Sequence, residues 1–313
     1  VSEARMLFVG GGQVGYETLR RLAAMGLFPR AVAGMSDHPH EAFQAEPLLR
    51  ELCREHGALY AGADLRADAL AETIGAEEID FLLTTGYRRI IPSRVYGMCA
   101  RGALGSHFSL LPRYRGFAPI NWAVLNGETE TGVTLFHLVA EMDAGDVVAQ
   151  EPVEIGPDET AGEVMERALG RYLGLLEAHL PAVLAGTAPR RPQDEAGATY
   201  TCARRPEDGR IDWSWPARRV HDLVRALSHP YPGAFTTHAG RRLLVWRTRL
   251  LDTPPRYVGI VPGRVVGVSG DSVRVLAGDG VIELLLVQPE GGEEVPAGRV
   301  IRSIRDTLGY PEG

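Results

Sequence analysis

The sequence predicts an α/β protein: an N-terminal domain built on a parallel sheet covered on both faces, then a smaller all-β domain. Three observations predict it. Short buried-strand runs alternate with helical segments through the first part of the chain, as a parallel sheet requires. The first such run leads straight into Gly10-Gly11-Gly12-Gln13-Val14-Gly15, a strand-to-helix turn. Past the 187–198 stretch the pattern changes to short strand-like runs divided by Gly-Asp turns, the signature of a small barrel or sandwich.

Met6-Leu7-Phe8-Val9 reads as a buried strand, and a helix follows the glycines to Met25. Ala31-Val32-Ala33-Gly34 is a second strand. Residues 46–56 read as a helix, because Leu48, Leu49 and Leu52 recur at helical spacing. Residues 79–83 form another buried strand, and Thr134-Leu135-Phe136-His137 is strand-like. Thr160 and Glu163 make a capping box; Val164, Ala168, Tyr172, Leu176 and Leu180 mark one face of the helix it starts, and Pro181 is expected to stop it. Residues 187–198, with Pro189 and Pro192, read as a linker. Residues 213–227 are expected to be helical, with Trp213 and Trp215 in a packing role. Four strand-like runs follow, at 243–248, 263–268, 272–276 and 281–287.

Composition removes several chemistries. All 33 basic residues are Arg, so a Schiff-base lysine and a P-loop lysine are excluded. A net charge of −7 argues against broad nucleic-acid or anionic-membrane binding. Cys53, Cys99 and Cys202 are scattered without metal spacing and read as reduced thiols of a cytoplasmic protein. No signal-peptide pattern and no run of membrane-span length is visible.

The glycine turn fits the dinucleotide fingerprint, and Asp37 stands near the position of a ribose-binding acid. An NAD-binding enzyme is therefore one alternative; a tight turn that needs glycine for close packing is preferred. Asp37, His38, His40 and Glu41 could suggest a metal cluster, but a solvated loop is the better reading and no metal is expected.

The chemistry concentrates in two blocks. The first is His107-Phe108-Ser109-Leu110-Leu111-Pro112-Arg113-Tyr114-Arg115-Gly116; the second combines Gly132-Val133-Thr134 with Asp143-Ala144-Gly145-Asp146. A carboxylate that orients an imidazole builds an acid–base catalyst. His137 reads as a core or surface histidine. Arg115 and Asn121 could either hold a phosphate or sugar hydroxyl or support their loop.

These blocks, with Thr84 to Ile91, Arg204-Arg205-Pro206-Glu207-Asp208, Tyr231-Pro232-Gly233-Ala234-Phe235 and Leu286-Val287-Gln288-Pro289, resemble the folate-dependent formyltransferase family. The likeness extends over nearly the whole chain. It implies a Rossmann-like catalytic domain over residues 1–200 and an OB-like β-barrel domain over 201–313. It implies N10-formyltetrahydrofolate as donor and an amine as acceptor, with His107 stabilising the intermediate and Asp143 tuning it. Folate contacts are implied at Tyr87, Arg89, Ile90, Ile91, Val139 and Asp146, and acceptor contacts at Ser109, Arg115, Gly116 and Asn121. Within the family the likeness favours the sugar-nucleotide N-formyltransferase branch, with a homodimer possible. The methionyl-tRNA branch ranks lower because the 36–41 stretch has no Arg to neutralise phosphate.

One position departs from the pattern. Where the family carries Asn, this chain has Gly105, in the run Leu104-Gly105-Ser106-His107. Glycine offers no side-chain donor. Three outcomes are open: Ser106, Ser109 or water replaces the donor; the enlarged space admits another acceptor or one-carbon reaction; or catalysis is impaired and folate binding remains.

Overall fold

In the computed structural model of the chain, residues 4–35, 43–62, 66–87 and 89–309 are described. Asp37, which only the NAD alternative would use, and the rest of the 36–41 stretch lie outside the described residues, as does Arg88. The elements in chain order are β1 (Met6–Gly10), α1 (Gly12–Ala24), β2 (Ala31–Gly34), α2 (Glu46–His56), β3 (Leu59–Tyr60), α3 (Ala67–Ala76), β4 (Phe81–Thr85), α4 (Ser93–Tyr96), β5 (Ala103–His107), β6 (Arg115–Gly116), α5 (Pro119–Leu125), β7 (Glu130–His137), β8 (Val147–Glu154) and α6 (Ala161–Leu184). They continue with β9 (Tyr200–Thr201), α7 (Ala217–Leu227), β10 (Ala234–His238), β11 (Arg241–Leu250), β12 (Val265–Ser269), β13 (Ser272–Leu276), β14 (Val281–Pro289), β15 (Val295–Pro296) and α8 (Ala297–Val300).

The chain divides into two compact units. The first holds residues 1–119, 131–153 and 166–202; the second holds 120–130, 154–165 and 203–313. The first is built on a seven-stranded sheet of order β3-β2-β1-β4-β5-β7-β8. The pairings from β3 to β5 are parallel. The expected purely parallel sheet is corrected at β7, which runs antiparallel to β5 and sets Phe136 opposite Gly105 and Thr134 opposite His107. One face of the sheet, carrying Leu7, Val9, Ala33 and Leu82, is covered by Leu70, Ile74 and Val95 of α3 and α4. β1 needs its terminal glycine for packing alone. A Cβ on Gly10 would lie 2.0 Å from the Thr85 carbonyl oxygen, so β1 and β4 can close only over glycine.

The capping box at the start of α6 forms as expected: the Thr160 amide donates to Glu163 Oε2 at 2.8 Å and the Glu163 amide donates to Thr160 Oγ1 at 3.3 Å. Pro181 does not stop the helix, which runs to Leu184. In the final turn proline removes one backbone donor and leaves little helix to disrupt.

The second unit pairs its strands antiparallel in the order β10-β11-β14-β13-β12, with β15 beside β14. α7 turns Val220, Leu223, Val224 and Leu227 into a core completed by Trp213, Val245, Ile282 and Leu284. Trp213 Nε1 donates to Thr236 Oγ1 at 2.9 Å, satisfying its polar edge. Trp213 itself precedes α7, because Pro216 caps a helix that starts at Ala217.

α7 also buries an ion pair. Arg225 Nε donates to Asp222 Oδ1 at 2.7 Å, and both side chains are 5% exposed. The same guanidinium donates to the carbonyls of Val124, Gly156 and Glu159. The Asn121 amide donates to the Ala226 carbonyl at 2.8 Å. These bonds tie residues from 120–130 and 154–165 to α7, and both stretches lie in the second unit.

Among the described residues no helix is long and apolar enough to cross a membrane, and no group of three or more His, Cys, Asp or Glu could hold a metal. Removing Arg225 leaves Asp222 charged and buried; Arg225→Met should therefore destabilise the second unit by about 3–5 kcal/mol in chemical unfolding. Burial pushes the Cys53 and Cys99 thiols up to about 11. Cys202 is the exposed thiol. An aromatic disulfide reagent at about pH 8 should therefore modify one thiol per native chain rapidly, and all three only after unfolding.

Candidate active site

β5 ends in His107, and the alternation of the strand puts His107 and Gly105 on one face and Ser106 on the other. The loops after β4 and β7 complete a cleft on the first unit. It is lined by Thr84 to Tyr87, Arg89 to Ile91, Gly105 to His107, Gly116, Phe117 and Leu138 to Asp143. Tyr87, Arg89, Ile90, Ile91, Val139, Gly105, Ser106, His107, Gly116 and Asp143 thus meet at one site.

The imidazole is held from two sides. Its Nε2 lies 2.7 Å from the Tyr114 carbonyl oxygen. A carbonyl only accepts, so Nε2 carries the proton and Nδ1 is the basic nitrogen of the neutral ring. Nδ1 faces Asp143 Oδ2 at 3.7 Å, a separation that becomes an ion pair only when the ring gains a second proton. That carboxylate oxygen also accepts from the Gly116 amide at 2.8 Å. Both residues that flank the ring are left-handed, Tyr114 at φ 59° and Asp143 at φ 53°. Side chains rarely adopt this conformation, which costs about 1–3 kcal/mol at a bulky residue and gathers at functional sites. Gly116, at φ 107° with the Thr201 carbonyl oxygen 2.4 Å from where a Cβ would stand, must be glycine.

Four expected contacts lie elsewhere. Ser109 is buried and its hydroxyl donates to the Arg113 carbonyl at 2.6 Å. Arg115, 1% exposed, donates to Gln193, Glu195 and Tyr200; its hydrogen bonds to Glu195 hold that carboxyl below its ordinary range. Asn121 serves the second unit through its bond to Ala226. Asp146 pairs with Arg190 at 3.2 Å and does not line the cleft. His137 points away from the cleft by strand alternation; burial, then Arg190, lowers its pKa.

The space beside Gly105 is not enlarged. A Cβ there would meet Leu138 Cδ2 at 2.8 Å and two Phe136 ring carbons at 3.1 Å. Apolar side chains from β7 and the residue after it crowd the place a Cβ would take, so any side chain at 105 must displace Leu138 and Phe136. Ser106 does not replace the donor on that face: its Oγ lies 2.5 Å from Thr85 Oγ1. Ser109 is committed to Arg113.

Sequence reasoning missed Phe136, Leu138, Glu141 and Phe117. The alternation of β7 gives a signal for the first two; the last two lie on irregular loops without one. It also missed the Tyr114 carbonyl, which no side-chain pattern can mark.

Fold and site together place a histidine–carboxylate pair in a cleft on an open α/β sheet. The model of the family "Formyl transferase" matches residues 26–172, and that of "Formyl transferase, C-terminal domain" matches 204–305. The chain belongs to the formyl transferase family. It is 36% identical over 313 residues to a methionyl-tRNA formyltransferase of Moorella thermoacetica, covering 98% of this chain and 96% of that protein. Its fold is shared by HypX from Aquifex aeolicus solved with tetrahydrofolic acid (TM-score 0.64, 21% identity, 97% of this chain and 48% of that one). This chain thus spans about half the length of HypX. It is also shared by an N-formyltransferase from Helicobacter canadensis solved with folinic acid and dTDP-3-aminofucose (TM-score 0.66, 15% identity, 90% of this chain and 98% of that one).

Gly105→Asn should overpack against Leu138 and Phe136, destabilising the first unit by about 1–3 kcal/mol in thermal unfolding, with no gain in turnover. Adding Leu138→Ala should recover part of that stability.

Proposed function

We propose that the protein transfers the formyl group of N10-formyltetrahydrofolate to a primary amine, with His107 and Asp143 as the acid–base pair. The observation that carries this is the basic His107 Nδ1 facing a carboxylate inside the cleft. Bound there, the folate supplies an activated formyl carbon. The donor set suits such a group: Tyr87, Ile91 and Val139 offer apolar walls, Arg89 a cation for a carboxylate tail, and Tyr96 a buried hydroxyl without a hydrogen-bond partner. Burial, with Glu141 nearby, raises the Tyr96 pKa and keeps it a neutral donor.

His107 Nδ1 accepts the proton the amine sheds as it attacks, and returns it to the departing nitrogen. Asp143 faces the imidazolium that forms in between. The Tyr114 carbonyl fixes the tautomer throughout. With position 105 apolar, the donor His107 can offer the developing oxyanion is the Nδ1–H formed when the amine sheds its proton, since Nε2–H stays on the Tyr114 carbonyl.

For the acceptor we favour the amino group of a small nucleotide-linked sugar, because the 36–41 stretch lacks the cations a tRNA would need. The second reading is methionyl-tRNA, favoured by the 36% identity across 98% of the chain. Incubation with N10-formyltetrahydrofolate and either a dTDP-3-amino sugar or methionyl-tRNA distinguishes them by which amine becomes a formamide. No formamide from either acceptor, or from a wider amine panel, would sink the transfer reading. His107→Asn and Asp143→Asn should each lower turnover by about 10²–10³ while leaving folate binding within a few-fold by titration.

A further inference from the structure

The two left-handed residues that flank the His107 ring are both held by one segment of chain, residues 191–201, which begins within the expected 187–198 linker and runs past it. Arg191 pairs with Val147 through two backbone bonds, at 2.8 and 3.0 Å. Gln193 Nε2 then donates to the carbonyls of Asp143 at 2.8 Å and Gly145 at 2.7 Å. Its Oε1 accepts from Arg115 Nε and Nη2 at 3.1 and 2.8 Å. A guanidinium only donates and a carbonyl only accepts, so this orientation of the Gln193 amide is the one its partners allow. Further on, Thr199 Oγ1 accepts from the Tyr114 amide at 2.8 Å, and β9 pairs in parallel with β6.

Backbone strain persists only where its surroundings over-determine it. Asp143 and Tyr114 are the strained residues, and Gln193 and Thr199 bond to their backbones. We propose that residues 191–201 are a positioning strap for the His107–Asp143 pair, in which Gln193 fixes the Asp143 turn and Thr199 fixes the Tyr114 carbonyl. This rests on the acid–base reading of that pair.

Gln193→Glu tests it in the full chain, because it keeps the acceptor toward Arg115 and sets a carboxylate against the two carbonyls. Gln193→Ala serves as a second variant should the charge prevent folding. The first readout needs no substrate: the Gly116 amide is held by Asp143 Oδ2. Its hydrogen exchange should rise about tenfold or more in the Gln193 variants, toward the Asp143→Asn value, while the Leu138 amide, bonded to Ala103, keeps its parent rate. The second readout is turnover of N10-formyltetrahydrofolate with the dTDP-3-amino sugar and with methionyl-tRNA. kcat should fall about tenfold or more at a donor KM within twofold, as expected when a catalytic group is misplaced while substrate binding stays intact. Gln193→Glu on top of Asp143→Asn should cost nothing further.

Gly116 exchange within twofold of the parent in both Gln193 variants overturns the strap. So does a loss of turnover in Asp143→Asn that neither Gln193 variant shares. Parent-like turnover in Asp143→Asn overturns the acid–base reading instead, and the exchange rates alone then decide whether the segment holds the turn.

Discussion

The structure of the site depends on how one imidazole is held. His107 leaves β5 between a backbone carbonyl and a carboxylate, and each fixes one nitrogen. The carbonyl decides which nitrogen carries the proton; the carboxylate decides what happens when the other gains one. Neither partner is presented by regular secondary structure. Tyr114 and Asp143 sit in tight left-handed turns, and such turns last only if other bonds hold them. The Gly116 amide on Asp143 Oδ2 is one of those bonds, and it ties the two turns to each other.

The same logic explains why the second arginine of the first block does not meet solvent. Arg115 is almost wholly buried, and its donors are spread over an amide oxygen, a carboxylate and a phenol. A buried guanidinium is tolerable only with that degree of satisfaction. Its charge therefore serves the loop. In the second unit Arg225 has the corresponding role, gathering three carbonyls from two short segments onto α7.

Position 105 shows how an absence in sequence can mislead. Glycine in place of Asn suggests added room and a missing donor. Ser106 and Ser109 do not supply the missing donor, since both are engaged elsewhere. The added room is not there, because Leu138 and Phe136 crowd the place a Cβ would take. The wall beside His107 is apolar, which lowers the local dielectric and makes each remaining donor count for more.

By itself the sequence determined the alternating strands and helices of the first unit, the capping box at Thr160, short strand-like runs in the second, and the two blocks carrying His107 and Asp143. Those features are local: hydrophobic period, turn chemistry and motif spacing act within a few residues. Tertiary structure alone decided that β7 runs antiparallel and faces Gly105, that Arg115 and Asn121 point inward, that two internal segments join the second unit, and that a proline-bearing stretch near residue 193 reaches the Asp143 turn. Each of these depends on which buried polar groups find partners far away in the chain, and pairing of that kind leaves no period in the sequence to read.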